Sequence, residues 1–190
     1  MKHFEFTGET KIVAGITLNR IRCTKKLDRL YVDVGDLGGW IEKEENLSGN
    51  AWVSGNARVY GDARVYGDAW VYGDARVSGN ARVSGNAWVY GDAWVYGDAW
   101  EKSPLYIQGT KYSFFLATKS KIQVGCQRFT FEGWKRHWRK VAEKFRFTDD
   151  EQKEYVAYFN LACDLYGKQE CKISLDDGSG NEDLPEYSEE

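Results

Sequence analysis

From Leu47 to Trp100 the chain repeats one six-residue phrase nine times without insertion or deletion: LSGNAW, VSGNAR, VYGDAR, VYGDAW, VYGDAR, VSGNAR, VSGNAW, VYGDAW, VYGDAW. Position one is Leu or Val, two is Ser or Tyr, three is Gly, four is Asn or Asp, five is Ala, and six is Arg or Trp. No helix tolerates this pattern. A Gly in every sixth place costs about 1 kcal/mol each time, and β-branched Val adds to the cost. Short strands joined by corners do tolerate it. Val and Ala share one face of an extended chain. Gly followed by Asn or Asp is turn chemistry, because both accept left-handed backbone. Val and Ala therefore point inward, and Ser/Tyr and Arg/Trp point outward.

A second period sets the coil. The sixth positions run Trp52, Arg58, Arg64, then Trp70, Arg76, Arg82, then Trp88, Trp94, Trp100. Read in threes, the first two rows are identical, which predicts three hexads per turn. Residues one turn apart then stack at the ~4.8 Å spacing of paired strands. The expected outward columns are Trp52/Trp70/Trp88, Arg58/Arg76/Trp94 and Arg64/Arg82/Trp100. The expected fold is mainly β: a three-coil hexapeptide solenoid over 47–100.

The flanks read as caps, which the open ends of a solenoid require. Over 1–46 the sequence predicts an N-terminal β cap: a hairpin of Lys11–Val13 and Ile16–Cys23 around Ala14-Gly15, a strand at Leu30–Val34, and a degenerate extra hexad from Ile41. Over 101–175 it predicts a C-terminal α+β domain. This begins with a three-stranded meander (Leu105–Gln108, Lys111–Thr118, Lys121–Gly125). An amphipathic helix over Glu132–Phe145 follows, with Trp134, Trp138, Val141 and Phe145 on one stripe. A second helix opens on the capping box Thr148-Asp149-Asp150-Glu151 and runs to about Leu165, with Tyr155, Phe159 and Ala162 on one face and Gly167 ending it. The acidic stretch 176–190 reads as disordered.

Composition excludes some classes. The net charge of -3 argues against generic nucleic-acid binding. The last fifteen residues hold seven acidic side chains and no basic one, so the rest carries about +4. Cys23, Cys126, Cys163 and Cys171 fall in no metal-binding spacing, so neither a metal nor a cofactor is expected. No apolar run approaches the ~18 residues of a membrane span, and no secretory signal opens the chain. A cytoplasmic protein with reduced thiols is the expectation.

Gly35-Asp36-Leu37-Gly38-Gly39-Trp40-Ile41-Glu42, then Asn46-Leu47-Ser48 and the run of Gly-Asn-Ala-x-Val, resembles the phage- and prophage-encoded hexapeptide-repeat β-solenoid family. Ile122-Gln123-Val124-Gly125-Cys126 followed by Trp134 continues the likeness, which spans roughly residues 10 to 165. The resemblance implies a left-handed β-helix. It also implies a role in managing host processes, such as counter-defence in the host cytoplasm.

Left-handed β-helices also resemble hexapeptide acyltransferases, which need a His as general base. Here His3 and His137 both lie outside the repeats, and no loop interrupts the coils. A non-enzymatic binder is the expectation. Its candidate ligand residues are Arg58, Arg76, Arg64 and Arg82 with Trp52, Trp70, Trp88 and Trp94. Guanidinium forks suit phosphate and aromatic rings suit bases. Against this stands a solvated mixed face, with Asp62, Asp68, Asp74, Asp92 and Asp98 neutralising the arginines. The Trp column could equally be a subunit interface, and a homotrimer is the preferred assembly. The candidate contacts of the C-terminal domain are Arg128, Trp134, Arg136 and His137, beside a basic helix face that would suit a phosphate or an acidic host protein. Cys126 reads as a buried structural thiol. The alternatives are a trimerising scaffold that binds a host or virion protein, and an acyltransferase.

Overall fold

The computed structural model describes residues 2–176 and 178–185. The chain divides into two compact units, Met1–Pro104 and Leu105–Glu190.

In the first unit each hexad contributes one short strand. β4 (Trp52–Val53), β7 (Trp70–Val71) and β10 (Trp88–Val89) stack in parallel as one face. β5 (Arg58–Val59), β8 (Arg76–Ser78) and β11 (Trp94–Tyr96) form the second, and β6 (Arg64–Val65), β9 (Arg82–Val83) and β12 (Ala99–Trp100) the third. This is a β-solenoid of about three coils. Between coils, alternate N–H groups donate to carbonyls seventeen residues on: Trp52 to Ala69 (2.9 Å), Ser54 to Val71 (2.9 Å) and Asn56 to Gly73 (2.9 Å). The corners are thus hydrogen-bonded as well as the strands. From Ala51 to Val95 every repeat Val and Ala is fully buried. Each Val adds roughly 1.5 kcal/mol of apolar burial.

The repeat glycines hold φ between +61° and +79°. They also stack on one another: a Cβ on Gly67 would lie 2.9 Å from the Gly85 nitrogen. Gly is therefore demanded twice, by backbone conformation and by the coil above.

The N-terminal cap is built on a hairpin of β1 (Phe4–Val13) and β2 (Ile16–Cys23), turning at Ala14 and Gly15 with φ of 49° and 78°. β3 (Leu37–Ile41) pairs antiparallel with β2 and parallel with β5, which extends the second face to six strands, β1-β2-β3-β5-β8-β11. The degenerate rung is present. Ile41 lies over Val59 and Leu47 bridges Val65, while the buried Asn46 amide donates to the Gly61 and Ala63 carbonyls. The expected strand at Leu30–Val34 is not formed. Asp28–Leu30 is a 3₁₀ turn, Tyr31 is left-handed at φ 53°, and only Leu27 and Val32 bridge. The Leu-x-Val-x-Val alternation there is misleading, since Val34 is 65% exposed.

The last hexad departs from the repeat. Ala99 pairs with Arg82 and Trp100 with Val83, a slip of one residue. Trp100 therefore turns inward (3% exposed) and leaves the expected Arg64/Arg82/Trp100 column. In register it stands over Val83, where the next Val would be.

In the second unit β13 (Tyr106–Gln108), β14 (Ser113–Thr118), β15 (Lys121–Val124) and β16 (Gln127–Thr130) form an antiparallel meander of four strands, one more than expected. The extra strand follows a two-residue turn at Gly125-Cys126. α1 (Phe131–Lys144) is capped by Thr130, and α2 (Asp149–Leu165) by the Thr148/Glu151 capping box. Trp134, Trp138 and Val141 of α1 and Phe159 and Ala162 of α2 are buried. Part of the expected disordered tail, residues 177 and 186–190, lies outside the described residues. Its described part runs along α1: Arg139 N–H donates to Gly180 O (3.0 Å) and Glu182 N–H to Arg136 O (3.0 Å).

Gly67→Ala is expected to lose more stability than Gly97→Ala. Both glycines are left-handed, but a Cβ at Gly97 meets nothing within 4 Å. The shared conformational cost is about 1 kcal/mol, and the backbone clash adds about 1 kcal/mol or more at Gly67. Urea unfolding followed by circular dichroism measures both, and equal losses would refute the stacking constraint.

Candidate functional site

Parallel register lines up the outward side chains as columns, because a repeated sixth position is repeated one coil on. In the first face Trp52, Trp70 and Trp88 are register partners. Trp52 does not belong to a surface site: it is 1% exposed, with the His3 ring 6.3 Å away. His3 Nε2 lies 2.7 Å from Ala51 O, and burial pushes its pKa down, so the neutral ring donates there. Trp88 is 43% exposed and meets Trp70 edge-on at 5.8 Å, with Tyr72 stacked on Tyr90 at 5.4 Å.

The Ser/Tyr choice at position two, read from sequence as corner filling, has a partner. Trp70 Nε1 donates to Ser54 Oγ (2.9 Å) and Trp94 Nε1 to Ser78 Oγ (3.0 Å), each one coil below. Ser leaves room for the indole and accepts its proton.

The second face carries the column Trp40, Arg58, Arg76, Trp94. Trp40 is a member that the hexad count missed, because the repeat is degenerate there. Gly-Gly-Trp-Ile is the signal that could have found it: Gly39 occupies the inward Ala position, where a Cβ would lie 2.8 Å from Ala57 O. The third face carries Arg64 and Arg82. They border a surface depression of about 370 Å³ with Lys43, Glu45, Asp62 and Asn80.

The aspartates expected to neutralise the arginines are partly engaged elsewhere. Asp62 binds Lys43 (3.0 Å) and Asp68 binds Arg29 (2.6 Å). Among the described residues none of the guanidiniums of Arg58, Arg64, Arg76 and Arg82 makes an ion pair. Arg76 lies over the Trp94 ring at 5.7 Å. Arg58 Nε is buried without a hydrogen-bond partner. Cations gather beside it. Lys11 Nζ sits 4.0 Å from the centre of the Trp40 ring, and Arg20 Cζ sits 5.6 Å from it. Burial first, then Arg58 and Arg20, push the Lys11 pKa down to about 8, against the smaller pull of Asp74 and Glu9.

In the second unit the candidates are occupied within the chain. Trp134 is buried and its indole donates to Ile122 O (2.8 Å). Arg128 binds the Gln123 side chain (2.9 Å). Arg136 faces Glu182 at 3.9 Å, and His137 Nδ1 lies 3.1 Å from Glu182 O. The basic face of α1 thus meets the chain's own acidic stretch. The Glu132 carboxylate lies within 4.8 Å of the neighbouring Glu170 carboxylate and Cys171 thiol, a grouping that sequence spacing could not link to Glu132. Burial, then the two carboxylates, raise the Cys171 pKa, so this sulfur stays a thiol at neutral pH and the trio is a poor metal cradle.

Residues 57–73 and 75–91 match the family model of the YdcK beta solenoid repeat. The match covers the middle of the coils and supports a β-solenoid repeat in this chain. No curated protein matches the sequence. Among the described residues no helix is long and apolar enough to cross a membrane.

Cys126 corrects the reading of a buried thiol: the Gly125-Cys126 turn leaves it exposed, while Cys23, Cys163 and Cys171 are buried. Burial pushes the Cys163 thiol up to about 12. A disulfide-type thiol reagent is expected to label Cys126 alone in the native protein and the other three after denaturation. Fast labelling of a second native thiol would contradict the packing.

Proposed function

We propose that this protein is a non-enzymatic binder of a small anionic ligand, a nucleotide signal or a molecule of similar charge, held by the stacked arginines of the solenoid. The carrying observation is the register of Arg58 on Arg76 and of Arg64 on Arg82 with no carboxylate partner on any of the four among the described residues. Like charges one coil apart repel by on the order of 1 kcal/mol even at the dielectric of water. An anion between them converts that repulsion into binding, and guanidinium forks match phosphate oxygens. The coils carry no His to serve as an acyltransferase base. The resemblance to phage- and prophage-encoded solenoids supports counter-defence by sequestration, in the host cytoplasm. Arg58→Ala with Arg76→Ala, and separately Arg64→Ala with Arg82→Ala, are compared with wild type by calorimetric titration with ATP and with adenosine. One pair is expected to weaken ATP binding by about tenfold or more, the effect of losing one charged hydrogen bond or more, and adenosine is expected not to bind. ATP affinity unchanged in both pairs would sink the reading.

A second reading, a trimerising scaffold for a host or virion protein, is favoured by the exposed Trp88 against Trp70 and Tyr72. An aromatic patch of this kind suits a subunit interface. Native mass spectrometry is expected to show trimers that Trp88→Ser converts to monomers. A monomeric wild type would remove this reading.

A further inference from the structure

We infer that Lys11, Arg20 and Arg58 form a binding site for a phosphoryl-type dianion on the outer face of the six-stranded sheet, beside Arg76. The inference rests on the anion-binding reading and gives it an address. Strand register assembles the group: Arg20 lies opposite Trp40, Trp40 beside Arg58, and Arg58 beside Arg76. The Trp40 ring positions two of the cations. Lys11 Nζ lies 4.0 Å from its centre and Arg20 Cζ lies 5.6 Å from it, within cation–π range. Arg58 adds a buried Nε with no acceptor.

The charges that face Lys11 come from each neighbouring element. Arg20 and Arg58 repel it, while Glu9 of its own strand and Asp74 attract it. Glu9 is bound by Arg20 at 3.0 Å. With Arg76 included, four cations face two carboxylates. The excess of two positive charges equals the charge of one phosphate monoester or sulfate. Trp40 is 7% exposed, so its ring has no face left for a base. The site therefore recognises the anion and not an aromatic ligand group.

Lys11 supplies a signature. Its ammonium is held down to about 8 by burial, Arg58 and Arg20. A bound dianion favours the charged form and raises that pKa toward the ordinary lysine range. Binding then takes up a proton above pH 8, and affinity falls as pH rises through 8.

The test uses the full chain and inorganic sulfate, which does not titrate in this range. Lys11 Nζ is followed by nitrogen NMR and affinity is measured at pH 7 and pH 9. Expected are a Lys11 titration that moves upward with sulfate and affinity ~10-fold weaker at pH 9. Lys11→Arg keeps its charge at both pH values and is expected to abolish the pH dependence while retaining binding. AMP in place of sulfate separates two sources. Equal affinity identifies the free anion as sufficient, and tighter AMP binding with the same pH dependence identifies a phosphate monoester. Both results support the site. Sulfate binding that is independent of pH, or a Lys11→Arg protein as pH-dependent as wild type, overturns this inference and leaves the broader reading standing. If sulfate and AMP both fail to bind at pH 7 while ATP binds, the site assignment alone falls. If ATP also fails, the broader reading falls with it.

Discussion

The backbone bond from one N–H to a carbonyl seventeen residues ahead governs the first unit. It recurs at the strands and at the Gly-Asn/Asp corners alike, so each coil must contain the same number of residues as the next. Sequence identity between hexads is one result. A Gly lies over a Gly, because a Cβ on Gly49, Gly67 or Gly73 would meet the backbone of the next coil. The other result is on the surface. Each position six lies over the position six one rung down, so wherever the same residue recurs three hexads on, the fold stacks like side chains, as it does Arg58 with Arg76 and Arg64 with Arg82.

Columns of Trp and columns of Arg behave differently under that rule. Aromatic rings tolerate stacking: Trp70 and Trp88 meet edge-on, and the spare indole protons of Trp70 and Trp94 go to Ser54 and Ser78. Guanidinium groups repel, and carboxylates that might have neutralised them bind Lys43 and Arg29 instead. The β1–β2 hairpin aggravates the imbalance by adding Lys11 and Arg20 to the Arg58 face.

The repeat made the solenoid, its three faces and most of its columns legible before any coordinate, because period and side-chain chemistry pointed the same way. Thr148 and Glu151 were equally legible, since a capping box is local chemistry. What sequence did not reveal was decided at a distance. Trp100 reads as one more outward residue, and only the end of the coil stack turns it inward. Cys126 reads as a buried thiol just after a strand, and only the fourth strand of the meander makes its position an exposed turn. Arg58, Arg64, Arg76 and Arg82 were legible as candidates. The contribution of Lys11 was not, because the hairpin meets the sheet through β3 and nothing local announces that pairing. Arg136 and His137 were candidates on composition, and the acidic stretch beside them occupies both.

The inward turn of Trp100 also governs how such a chain can change length over evolution. Duplicating or deleting one hexad would move every later residue to the next face, carrying arginine onto the indole ladder and breaking both. Gains and losses therefore have to come as whole coils of three hexads, inserted upstream of Trp100. Repeat DNA that slips by one unit yields a broken protein, whereas slippage by three yields a longer or shorter one with the same surface pattern. Copy number in relatives of this chain should step in threes, with the closing indole kept at the end.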